Sequence, residues 1–97
     1  MKLVVLNAAQ TELEDAQAYY LQRTTPGITA AFVADYEHSA RRIPQFPQPA
    51  PMVSPRLRTL PMRHFPYSII YYVTAEAISI LAIAHQGRRP EYWGGRR

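Results

Sequence analysis

Apolar residues recur along this chain at several distinct spacings, and the points where the spacing changes mark its elements. Residues 2–6 (KLVVL) form a short aliphatic run with two adjacent valines, which predicts a first strand over residues 1–6. From Ala9 the period lengthens: Ala9, Leu13, Ala16 and Tyr20 follow at steps of four, three and four, while Gln10, Glu14 and Gln17 take other faces. This is the stripe of an amphipathic helix. Asn7 with Gln10, or Thr11 with Glu14, has capping-box spacing, so the helix is predicted to begin between residues 7 and 11. Thr24, Thr25, Pro26 and Gly27 interrupt the pattern, and Ile28, Phe32, Tyr36, Ala40 and Ile43 then carry a second stripe that stops before Pro44. Two helices joined by so tight a turn make an antiparallel hairpin, predicted over residues 8–43.

Prolines at 44, 47, 49, 51 and 55 exclude both a helix interior and a central strand, so residues 44–55 read as a semi-rigid connector. It serves either as a binding lip or, the reading we favour, as a spacer returning the chain to the sheet. Three strand-like runs follow, at 56–65, 67–73 and 78–85, separated by Pro66 and by residues 74–77 and therefore close enough to form an antiparallel meander. Pro61 lacks a ladder donor, which predicts an edge strand or a bulge in the first run. The run 78–84 is nearly all apolar and is predicted to be central. Residues 86–97 form a basic, aromatic tail. The order β-α-α-β-β-β describes one α+β domain over residues 1–97, a helical hairpin packed on one face of a mainly antiparallel sheet. The other face is left to be solvated or used, with Arg56, Arg58, Arg63, Arg88, Arg89, Arg96 and Arg97 as candidates to line it or its rim.

Composition narrows the function classes. The chain has 97 residues, enough for one core, since separate domains usually need roughly 100 residues each. No apolar run approaches the ~18 residues of a membrane span, and the start lacks the pattern of a signal peptide, so a cytoplasmic protein without a membrane partner is expected. The absence of cysteine excludes disulfides, thiol catalysis and Cys-based zinc sites. Histidines at 38, 64 and 85 have no metal-ligand spacing; neither a metal nor a cofactor is expected. Charge is unevenly divided. Residues 1–40 carry two basic against five acidic side chains, a net −3, whereas residues 41–97 carry nine arginines against two glutamates, a net +7. An all-arginine choice suits bidentate contact with phosphate or carboxylate, hence nucleic acid or an acidic protein.

Three segments in this order carry a resemblance: residues 8–20 (AAQTELEDAQAYY) with Pro26-Gly27, residues 65–71 (FPYSIIY), and residues 80–85 (ILAIAH) with Arg88, Arg89, Pro90, Tyr92 and Trp93. Together they resemble the RelE/ParE toxin superfamily of bacterial type II toxin–antitoxin modules, to which plasmid stabilization proteins belong. The resemblance spans nearly the whole chain and implies a toxin neutralised by a cognate antitoxin, in a hetero-oligomeric complex. RelE-like members cleave messenger RNA in the ribosomal A site without a metal, and ParE-like members poison DNA gyrase. RelE-like members place one arginine at the start of the strand that ends in the Ile-Tyr pair and another after the last strand. Here those positions hold Ser68 and Gln86, neither of which supplies positive charge. The ParE-like activity is favoured on that ground, with ribosome-dependent ribonuclease the alternative and a plain RNA-binding module or degenerate toxin a further one.

Candidate residues follow from these chemistries. A ribonuclease would draw on His85 for proton transfer, Arg63 for the phosphate and Tyr92 in the tail. Target binding, to gyrase or to ribosome and messenger RNA, would draw on Arg58, Arg88, Arg89 and Trp93, and an acidic antitoxin segment, folding as it binds, would meet Arg56, Arg58 or Arg63. Structural alternatives stand beside each: His85 anchors the tail through a hydrogen bond, Trp93 folds back and caps the core, Tyr67 and Tyr71 pack in it, and Arg41-Arg42 complements a helix dipole.

Overall fold

A computed structural model describes residues 2–45, 57–89 and 91–96. Its elements are β1 (Lys2–Val5), α1 (Asn7–Arg23), α2 (Pro26–Gln45), β2 (Leu57–Pro61), β3 (Tyr67–Val73) and β4 (Ala77–His85). The strand order is β1-β4-β3-β2, with β1 parallel to β4 and the other two pairings antiparallel. The apolar β4 is therefore internal, as its sequence predicts, and β2 with Pro61 at its end is an edge strand. A register shift at Ile70/Tyr71 places the irregularity between β3 and β4 instead of at Pro61.

Strand alternation sorts the core into two layers. Ile69, Tyr71, Ile78, Ile80 and Ile83 face the hairpin and pack with Ala9, Ala16, Phe32, Tyr36, Ala40 and Ile43. Ile70, Leu81, Ala82 and Ala84 face the other way and pack with Leu57 and Trp93. Leu81 and Ala82 are neighbours in sequence yet share this second layer, because the register shift leaves Leu81 between Ile80, opposite Tyr71, and Ala82, opposite Ile70. The helix-free face is thus closed in part by the C-terminal segment.

Several predicted boundaries move. Leu6, not Asn7, occupies the N-cap of α1, without a side-chain cap. Its N–H extends the β1–β4 pairing to the Ile80 carbonyl at 3.0 Å while its own carbonyl accepts the Gln10 N–H at 2.9 Å, so the helix starts directly off the strand. Thr25 caps α2 by accepting the Ile28 N–H on its hydroxyl, 3.2 Å away. That helix runs two residues further than predicted, through Pro44 to Gln45. The run expected over 56–65 pairs only as far as Pro61, because the Asp35 carboxylate of α2 takes the Arg63 and His64 N–H groups at 3.3 and 2.9 Å and turns the chain. The rest of the proline-rich connector, with Arg56, lies outside the described residues, as does Arg97.

Candidate functional site

β4 outruns its parallel neighbour. The β1 side of β4 is paired only up to Ile80, so the N–H of Ile83 and the carbonyl of Leu81 need other partners. Glu12, on α1, accepts the Ile83 N–H on Oε1 at 3.1 Å. The Leu81 carbonyl accepts from Arg96 Nη1 at 3.2 Å, and that same guanidinium forms a forked contact with Glu12, Nη1 to Oε1 at 2.8 Å and Nη2 to Oε2 at 3.3 Å. Tyr92 donates its hydroxyl to Glu12 Oε2 at 2.6 Å. Burial, followed by the adjoining carboxylate, pushes the Tyr92 phenol well above its ordinary value. One glutamate thus joins the first helix, the last strand and the tail.

The tail reaches this point by two tight reversals. Gly87 donates its N–H to His85 Nδ1 at 2.9 Å, and the Arg88 N–H reaches the His85 carbonyl at 3.0 Å. A β-carbon at Gly87 would stand 3.1 Å from that ring nitrogen, which favours glycine there. Glu91 and Gly95 both adopt positive φ, 63° and 87°, and between them Trp93 turns into the open-face layer with 9% of its surface exposed. The guanidiniums of Arg88 and Arg96 lie 4.0 and 5.1 Å from the Tyr92 ring centre.

His85 and Arg88 form a ridge between two clefts of similar size. Toward α1, a groove of about 240 Å³ is walled by Glu12, Asp15, Tyr19 and Tyr67. On the open sheet face, a cleft of about 230 Å³ has Thr59, Ser68, Ile70 and Ala84 as its floor and Gln86, Arg88, Arg89, Tyr92 and Trp93 along its side. No carboxylate lines this second cleft. Gln86 Nε2 lies 3.5 Å from Ser68 Oγ, so the two neutral residues in place of the RelE-like arginines meet across the strand pair.

The structure brings His85, Arg88, Arg89, Tyr92 and Trp93 together and separates the remaining candidates from them. Arg63 lines a third cleft with Ala31, Asp35, His38 and His64, its Nη1 3.4 Å from His38 Nε2. Arg58 stands opposite Tyr71 in the β2–β3 register and so belongs to the helix-facing side, not to the open face expected for it. Trp93 packs into the open-face layer, and Tyr92 gives its hydroxyl to Glu12 and its ring to Arg88. Sequence reasoning missed Glu12 and Asp35. The available signal was their phase: Glu12 follows Ala9 by three and precedes Ala16 by four, and Asp35 follows Phe32 by three, which puts both carboxylates on buried helix faces. Among the described residues no three His, Cys, Asp or Glu side chains group to hold a metal ion, and no helix is long and apolar enough to cross a membrane.

Comparison with known proteins adds three findings. A family model described as ParE toxin of type II toxin-antitoxin system, parDE, matches residues 3–90. The chain is similar to Toxin ParE2 of Mycobacterium tuberculosis, in strains CDC 1551 / Oshkosh and ATCC 25618 / H37Rv, with 30% identity over 89 residues that cover 92% of this chain and 85% of that protein. Its fold is similar to a solved chain from the chromosomal ParDE TA system of P. aeruginosa, with a TM-score of 0.78 and 25% identity over 88% of this chain and 95% of the other.

Proposed function

The chain belongs to the ParE toxin family of type II toxin–antitoxin systems, and from that premise we propose that it arrests growth by binding and inhibiting DNA gyrase and is held inactive by a cognate antitoxin. The observation that carries the gyrase reading is the dispersal of the ribonuclease set. Metal-free cleavage of RNA requires a cation on the phosphate and proton-transfer groups around one scissile bond. Here Arg63 lines a different cleft from His85 and Tyr92, and the Tyr92 hydroxyl is given to Glu12. The open-face cleft keeps Arg88 and Arg89 beside neutral Ser68 and Gln86, an arrangement suited to holding an anionic surface. Arg88 and Arg89 are the target-facing cations of this proposal. Arg58 and Arg63, at the β2 end of the sheet, are the ones offered to acidic side chains of the antitoxin.

The test is inducible expression of the chain alone in bacterial cells, with DNA and protein synthesis labelled separately, beside a supercoiling assay with purified gyrase. An early fall in DNA synthesis, filamentation and lost supercoiling, all reversed by the neighbouring antitoxin gene, are expected. An immediate stop in protein synthesis with cut transcripts overturns the gyrase reading in favour of ribonuclease. Unimpaired growth overturns toxicity itself.

A further inference from the structure

We infer that Glu12 is the positioning residue of the toxin: its carboxylate docks the C-terminal tail and thereby fixes Arg88 and Arg89 over the open-face cleft. The inference deepens the reading above and rests on it for the role of those two arginines.

Glu12 takes four hydrogen bonds: from the Ile83 backbone at 3.1 Å, from the Tyr92 hydroxyl at 2.6 Å, and from two nitrogens of Arg96 at 2.8 and 3.3 Å. Three of them come from the tail. The glutamate side chain is only 14% exposed, so these bonds are screened little by solvent. Among the described residues, Arg96 and Glu12 form the ion pair that ties the tail to the first helix. Beyond this contact the tail is held by the Arg96 bond to the Leu81 carbonyl at 3.2 Å, by the Gln86 N–H on the Pro66 carbonyl at 2.8 Å, by Trp93 in the open-face layer and by turn hydrogen bonds at its two reversals.

Geometry then links the clasp to the cleft. Tyr92, oriented through its hydroxyl, offers its ring to the Arg88 guanidinium at 4.0 Å. Arg88 is therefore held by a ring that is itself held by Glu12, and Arg89 follows it along the same backbone. The opposite charges of the two halves of the sequence meet here, an acidic residue of the first helix against the basic end. Glu12 never lines the cationic cleft and acts on it only through Tyr92 and Arg96.

The test uses the full chain and compares Glu12→Gln, Tyr92→Phe and Arg96→Gln with wild type, and with Glu37→Gln as a charge control on the exposed side of α2. Three readouts are followed: collisional quenching of Trp93 emission for tail docking, cooperative thermal unfolding for the fold, and loss of viable cells on induction. A lost charge-assisted hydrogen bond is expected to raise the undocked fraction of the tail about tenfold. Quenching of Trp93 should rise in all three clasp variants while unfolding stays cooperative, killing should fall below wild type in step with the docked fraction that remains, and Glu37→Gln should match wild type. Should Glu12→Gln destabilise the whole chain, Tyr92→Phe and Arg96→Gln reach the clasp from the tail side and keep the Ile83 bond. A folded Glu12→Gln whose Trp93 stays protected overturns the inference, as does one with a released tail and undiminished killing. If wild type itself kills nothing, the toxin reading fails, and the docking role of Glu12 is decided by the quenching data alone.

Discussion

The two faces of the sheet are closed by different physics. On the hairpin side, Tyr20, Phe32, Phe65 and Tyr67 form an aromatic cluster with ring centres mostly 5.2 to 5.4 Å apart, and the long helices cover it with apolar stripes. On the opposite side a short irregular tail supplies one tryptophan and is fastened by hydrogen bonds to the partly buried Glu12 carboxylate and to the Leu81 carbonyl. The first closure depends on volume and apolar area, the second on matched charges and donors. Stability should therefore be concentrated in the hairpin face, and local opening in the other.

Breaking the hairpin face should have the largest effect. Phe32→Ala removes a fully buried ring that touches three others and is expected to cost about 3 to 5 kcal/mol, measured by urea unfolding. Trp93→Ala sharpens the contrast. The tail can detach without opening the hairpin, so a global loss below the ~3 to 5 kcal/mol of a core aromatic truncation is expected, together with complete loss of tail docking in hydrogen exchange. A loss equal to that of Phe32→Ala would show that the two faces form one cooperative unit. Asp35→Ala strips the acceptor from the Arg63 and His64 N–H groups and should cost about 1 to 3 kcal/mol, with disorder confined to residues 62–66.

The layers of the fold were legible because each repeats over many residues. β3 falls on the strand-like run predicted over 67–73, and the two helical stripes mark the buried faces of α1 and α2. The closures were not legible, because each depends on a single pairing between distant segments. Glu12 and Tyr92 are 80 residues apart in sequence, and Asp35 and His64 are 29 apart; no local pattern joins them. Asn7 failed as a cap for a related reason. Its neighbour Leu6 was already engaged by β4, a partner more than 70 positions away.

The smallest effect near neutral pH comes from the phenols. Burial raises Tyr20, Tyr36, Tyr67, Tyr71 and Tyr92 above the ordinary value near 10, so the fold favours their neutral forms. Their contribution is complete below pH 10 and is lost as pH rises through the folded values. Thermal stability should be insensitive to tyrosine ionisation between neutral pH and about pH 9 and should fall above pH 10. Tyr92→Phe should remove part of that fall, because burial first and the Glu12 carboxylate second oppose the Tyr92 phenolate.

The parallel pairing of β1 with β4 sets the order of assembly. The β2-β3-β4 meander closes short loops, whereas Lys2 must find Ala77 across almost the whole chain, a slow search compensated by only four register pairs. β1 should therefore be absent from the folding nucleus. Substitutions such as Val5→Ala are expected to hasten unfolding and leave the refolding rate unchanged in a chevron experiment. Because α1 follows β1 directly, Glu12 arrives at Ile83 with that final strand. The clasp that docks the tail should then be among the last parts of the molecule to form and the first to be lost.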